Sequence, residues 1–70
     1  MDYLVVVEQG QKSFGAYVPD LPGCAAAAET REEVVTLIRE AIEFHIEGLR
    51  EDGLPVPVAS STVEVIKVAA

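Results

Sequence analysis

One cysteine, one histidine and no tryptophan occur in this 70-residue chain, and those scarcities close off several kinds of protein at once. Cys24 has no second cysteine to pair with, so no internal disulfide staples the fold. No cluster of His and Cys offers the three or four ligands that a zinc site takes, and neither a metal nor a cofactor is expected. Basic residues are also few: five Lys and Arg against twelve Asp and Glu give a formal net charge of -7. Such a chain repels phosphate backbones and attracts basic surfaces, so direct nucleic-acid binding is not expected. The longest apolar runs, Leu4 to Val7 and Cys24 to Ala28, are far too short to span a bilayer. Without a basic N-terminal region leading into an apolar stretch, the expectation is a cytoplasmic protein with no membrane association.

What is present is apolar for so acidic a chain. Hydrophobic residues make up 50% and charged residues 24%, with a mean hydropathy of +0.29. The length sets one domain, residues 1–70, and a domain this small buries only about 60% of the surface its unfolded chain exposes. Apolar surface in excess of one small core predicts association, as a homo-oligomer (dimer or tetramer) or with a partner protein.

Valine-rich Tyr3 to Glu8, the turn residues Gln9 to Lys12 and the alternating stretch Ser13 to Val18 predict a β-hairpin. In Pro19-Asp20-Leu21-Pro22-Gly23, each proline pushes the residue before it into extended geometry, and Gly23 is suited to the positive φ of a turn. A third strand, Cys24 to Glu29, leaves it. Thr30 followed three residues later by Glu33 is a capping box, which starts a helix. At about 100° per residue, Val34, Leu37, Ile38, Ala41, Ile42, His45 and Leu49 share one stripe of that helix, opposite Glu32, Thr36, Arg39, Glu43, Glu47 and Arg50. Gly53 stops it, and Leu54-Pro55-Val56-Pro57 is an extended connector to a last strand, Thr62 to Val68. The expected fold is α+β, in the order β-β-β-α-β, with one small mixed sheet and a single helix on one face. The right-handed crossover rule sets the last strand parallel to a neighbour. Both strand faces are apolar, Tyr3, Val5 and Val7 against Leu4 and Val6, so the face without a helix is expected to meet another chain.

The hairpin, the string Pro19-Asp20-Leu21-Pro22-Gly23-Cys24, the Thr-x-x-Glu helix start and the helix end Asp52-Gly53 before Pro55 and Pro57 together resemble the HicB-like antitoxin family over nearly the whole chain. The resemblance implies a degenerate ribonuclease H-like sheet and a non-catalytic role as the antitoxin of a type II toxin-antitoxin pair. Its partner would be HicA, a small basic mRNA interferase. The chain departs from that pattern in having Ala28 where glycine is frequent, and it reads as a lone HicB domain without the C-terminal DNA-binding domain of many relatives.

For partner binding, the residues singled out are Asp20 and Leu21, on a loop made rigid by two prolines, and the helix carboxylates Glu32, Glu40, Glu43 and Glu47, which suit the steering of a basic partner. The plainer readings are a loop in which Asp20 accepts hydrogen bonds from nearby backbone N–H groups, and a solvated helix face. His45 reads as a packed side chain, and Cys24 as a small buried apolar residue. Two alternatives accompany the antitoxin reading. One is an orphan HicB-like oligomeric scaffold or ligand-binding domain. The other is a metal-dependent ribonuclease H-like nuclease, which needs clustered carboxylates at the sheet centre. Glu8 ends its strand and Glu64 stands alone in another, so no catalytic residue is assigned.

Overall fold

A computed structural model describes residues 1–69. β-Branched residues open the first strand, β1 (Val6–Gln9), which pairs antiparallel with β2 (Phe14–Tyr17) in the register Val6↔Tyr17 and Val7↔Ala16. The Gly10 N–H donates to the Ser13 carbonyl at 2.8 Å and closes the hairpin between them. β2 pairs antiparallel with β3 (Ala25–Ala28), Phe14 facing Ala28 and Ala16 facing Ala26. Among the described residues the sheet has three strands in the order β1-β2-β3.

The passage from β2 to β3 is two consecutive β-turns. The Val18 carbonyl accepts from the Leu21 N–H at 3.1 Å, and the Leu21 carbonyl accepts from the Cys24 N–H at 3.0 Å. Pro19 and Pro22 each take the second position of a turn, where their fixed φ is already correct. Gly23, at φ 85°, supplies the left-handed residue of the second turn, which is therefore of type II. Leu21 is shared by both turns and carries its side chain into the core, with no exposed surface. Burying it contributes about 1.5–3 kcal/mol.

The helix α1 (Arg31–Glu51) begins as the capping box requires, with the Glu33 N–H donating to Thr30 Oγ1 at 3.1 Å. The reciprocal contact differs from the expected one: Glu33 Oε1 accepts from the threonine hydroxyl at 3.2 Å. At the far end Gly53, at φ 68°, sends its N–H to the Arg50 carbonyl and the Leu54 N–H to the Leu49 carbonyl, a Schellman motif.

The helix lies over β2 and β3. Val34 and Ile38 are buried against Ala16, Val18, Leu21 and Cys24, with Val35, Ala41, Ile42 and Ile46 packed around them. The buried stripe is rotated from the one expected: Val35 and Ile46 belong to it, while Leu37 is 41% exposed. The cause is the seat beneath. Ala16, Val18, Leu21 and Cys24, flanked by Phe14, Ala26 and Ala28, cover only one strip of a helix about 31 Å long.

The expected fourth strand is the main correction. Thr62 to Val68 forms no ladder, so among the described residues the sheet is antiparallel rather than mixed, and the parallel strand of a ribonuclease H-like topology is not formed. The connector runs back from the helix end to the β2–β3 loop, and the residues beyond Ser61 stand clear of the body as an exposed arm, with Val65 89% exposed. The dimensions agree: the radius of gyration is 13.9 Å, against about 11 Å for a compact chain of this length.

Two substitutions test this account by urea denaturation. Ile38→Ala empties a filled site under the helix and should cost about 2–4 kcal/mol. Gly23→Ala adds a methyl group that meets nothing within 4 Å, so its cost, about 1–2 kcal/mol, comes from the positive φ alone.

Candidate functional site

The double turn that buries Leu21 turns Asp20 the other way. Its carboxylate accepts the backbone N–H of Ser60 and of Ser61, each at 2.9 Å, and the hydroxyls of the same serines at 3.3 and 2.8 Å. The Ser61 N–H, then the Ser61 hydroxyl, hold the carboxyl below the usual aspartate value; desolvation opposes them, and the Ser60 N–H and hydroxyl add lesser contributions in the same direction. Asp20 therefore accepts backbone hydrogen bonds, from a segment 40 positions away in sequence. Tyr3 makes a second clasp, its hydroxyl donating to the Pro57 carbonyl. Together these contacts fix where the connector ends and the arm begins.

Of the turn residues, Pro19, Pro22 and Gly23 are exposed and Cys24 is buried, where desolvation raises its thiol pKa and disfavours the thiolate. Leu21 was a candidate for presentation to a partner. Its burial makes it a core residue that offers no surface, because the two turns point it inward.

Glu32, Glu40, Glu43 and Glu47 are all exposed on α1. At 3.6 residues per turn they fall within an arc of roughly 80°, which Glu33 and Glu51 adjoin, so the helix carries an acidic stripe, bordered by Arg39 and interrupted near its end by Arg50. Glu43 with Glu47, and Glu47 with Glu51, are like charges at i,i+4, each pair unfavourable by about 0.2–0.5 kcal/mol. Carboxylates near the helix C-terminus also oppose its dipole. Beside the stripe stand Leu37 and Phe44, two turns apart on one line, with Phe44 79% exposed. Sequence reasoning had put Leu37 in the buried stripe and had not singled out Phe44. The signal for both was their spacing of seven, which places them on a common face.

A groove of about 700 Å³ opens on the other side of α1, where the helix leaves β1 uncovered. Tyr3, Val5 and Val7 line one wall and Val35, Ile42 and Ile46 the other, and the charged residues Asp2, Arg31, Arg39 and Glu43 also line the groove. Glu8, Asp20 and Glu64 lie on β1, the β2–β3 loop and the arm respectively. Among the described residues no group of three His, Cys, Asp or Glu side chains is placed to hold a metal ion. Among the same residues no helix is long and apolar enough to cross a membrane.

An exposed acidic helix over a three-stranded antiparallel sheet, with no assembled set of reactive groups among the described residues, defines a small α+β module whose surface offers binding features. Residues 3–69 match the family described as HicB_like antitoxin of bacterial toxin-antitoxin system. The chain belongs to this HicB-like antitoxin family. It is similar to an uncharacterized 14.9 kDa protein from the rep-hol intergenic region of Haemophilus phage HP1, 36% identical over 94% of this chain and 50% of the relative. It is also similar to UPF0150 proteins of Synechocystis, 34% identical over 96% of this chain and 86% of the relative, and of Thermoplasma acidophilum, 33% identical over 81% and 84%. The chain thus spans half the length of the phage protein and most of the other two. No solved structure matches it.

The Asp20 clasp has a defined pH signature. Because its folded pKa is depressed, the carboxylate stabilises the clasp at and above the ordinary aspartate value, roughly 3.9, and that contribution is lost as pH falls through the lower folded value. Amide exchange at Ser60 and Ser61 should therefore accelerate only below the ordinary carboxylate range, and Asp20→Ala should accelerate it at neutral pH while α1 stays protected.

Proposed function

We propose that this chain is the antitoxin that binds and neutralises a small basic RNA-cleaving toxin of the HicA type, acting by covering the toxin's surface and not by catalysis. The observation that carries the reading is the family match over residues 3–69. The acidic stripe of α1 supports it. A toxin that grips RNA must present positive charge to phosphates, and a row of carboxylates spaced one helical turn apart competes for that same charge. The net charge of -7 adds a long-range field that accelerates encounter with such a partner.

The like-charge repulsion within the stripe has a direct bearing here. It destabilises the free helix slightly, and a basic partner relieves it, so part of the binding free energy arises from removing an unfavourable interaction already present. Phe44 and Leu37 add apolar contact at the edge of the charged row, where an aromatic side chain flanked by polar groups makes an effective anchor.

The test is RNA cleavage by the purified toxin with increasing amounts of this chain. Cleavage should fall to background at stoichiometric addition, and undiminished cleavage at saturating chain would refute the proposal. The triple variant Glu40→Lys, Glu43→Lys, Glu47→Lys should slow association at least about tenfold at low salt and flatten its salt dependence. Phe44→Ala should mainly raise the dissociation rate, by about 1–3 kcal/mol in affinity, with the fold intact.

A further inference from the structure

Residues 54–69 carry two charges, Glu64 and Lys67, which cancel within a chain of net charge -7. The segment that the two clasps hold is thus a stretch of no net charge in an otherwise acidic molecule. Beyond Ser61 its large apolar side chains have nothing to rest on: Val63, Val65, Ile66 and Val68 are between 63% and 89% exposed. Alternation sets Val63 and Val65 on one side of an extended chain and Ile66 and Val68 on the other. Apolar residues on both sides are the pattern of a strand covered on both faces.

The same chain offers a place of that kind. β1 is an edge strand whose outer N–H and C=O groups pair with no other strand among the described residues. Along that edge the helix stops short and leaves the groove of Tyr3, Val5, Val7, Val35, Ile42 and Ile46. On the opposite face of the sheet, Leu4, Val6 and the 44% exposed Tyr17 are not covered by the helix. A strand laid against β1 would put one set of its side chains over the groove and continue the uncovered face with the other. The β3 edge suits this less well, because α1 already lies over β3 and β3 carries only alanine.

We propose that residues 62–68 of one copy of this chain add as a strand to the β1 edge of a second copy, which returns its own arm in exchange. The exchange is isologous, so it closes as a dimer and leaves no arm free to propagate a fibre. The arm's two charges cancel, so it brings no net negative charge to the β1 edge, where Glu8, Asp2 and Glu43 already stand. The Asp20 and Tyr3 clasps act as positioning contacts that set the point from which each arm departs. The proposal does not depend on the toxin, and, of the acidic stripe of α1, Glu43 borders the groove that the arm would cover.

Sedimentation equilibrium and amide exchange on the full chain test it, with Val65→Pro and Ile66→Pro made separately because alternate amides face the ladder. The expected result is a dimer in which alternate amides between Val63 and Val68 are protected and lose protection on dilution. Nuclear Overhauser contacts between differently labelled copies should place the arm beside β1. At least one proline variant should weaken dimerisation about tenfold or more, with helix content unchanged by circular dichroism. Four results would overturn it: a monomer at all concentrations, a dimer whose arm amides exchange freely, a dimer unaffected by both prolines, or arm contacts made only within one chain.

Discussion

The double turn between Val18 and Cys24 is the constraint on which the other features rest. It closes β2 onto β3, inserts Leu21 between sheet and helix, and leaves Asp20 outside with its carboxylate free to accept. The side chains on either side of the turning point have opposite destinations because two prolines and one left-handed glycine fix the path of the backbone. Once Asp20 has gathered four hydrogen bonds from Ser60 and Ser61, the course of the connector is set, and with it the direction in which the arm leaves.

The body formed around that loop is thin. A helix of 21 residues rests on strands of four, and the small residues Ala16, Cys24, Ala26 and Ala28 make up part of the surface beneath it. Two kinds of surface remain unresolved within one chain: carboxylates that repel one another along α1, and apolar side chains along β1 and the arm. They adjoin at Glu43 but call for different partners, the first a cationic one and the second an uncharged one. A module that bound a basic protein through α1 would keep β1 and the arm free for association with its own kind.

Features with local causes were legible in the sequence. The hairpin turn, the Pro-Asp-Leu-Pro-Gly-Cys loop, the Thr30 cap and the Gly53 stop each depend on residues within a few positions, and each is found where residue chemistry places it. Features that depend on distant partners were not. Nothing near Asp20 indicates that its acceptors would be satisfied by Ser60 and Ser61, and nothing in helical periodicity alone says which edge of an apolar stripe the sheet is wide enough to cover, so Leu37 was placed inside. The strand pattern of Thr62 to Val68 reports the alternation of side chains but not whether an edge lies within reach. Membership of the HicB-like family was legible because it is written in those local signals.

The arm has one consequence beyond geometry. An extended, exposed run of small and branched side chains, held at one end, is the shape that the cleft of a protease accepts, whereas a paired strand is not. In the dimer proposed above the arm would be paired and withdrawn from such a cleft, so resistance to proteolysis would rise with the population of dimer.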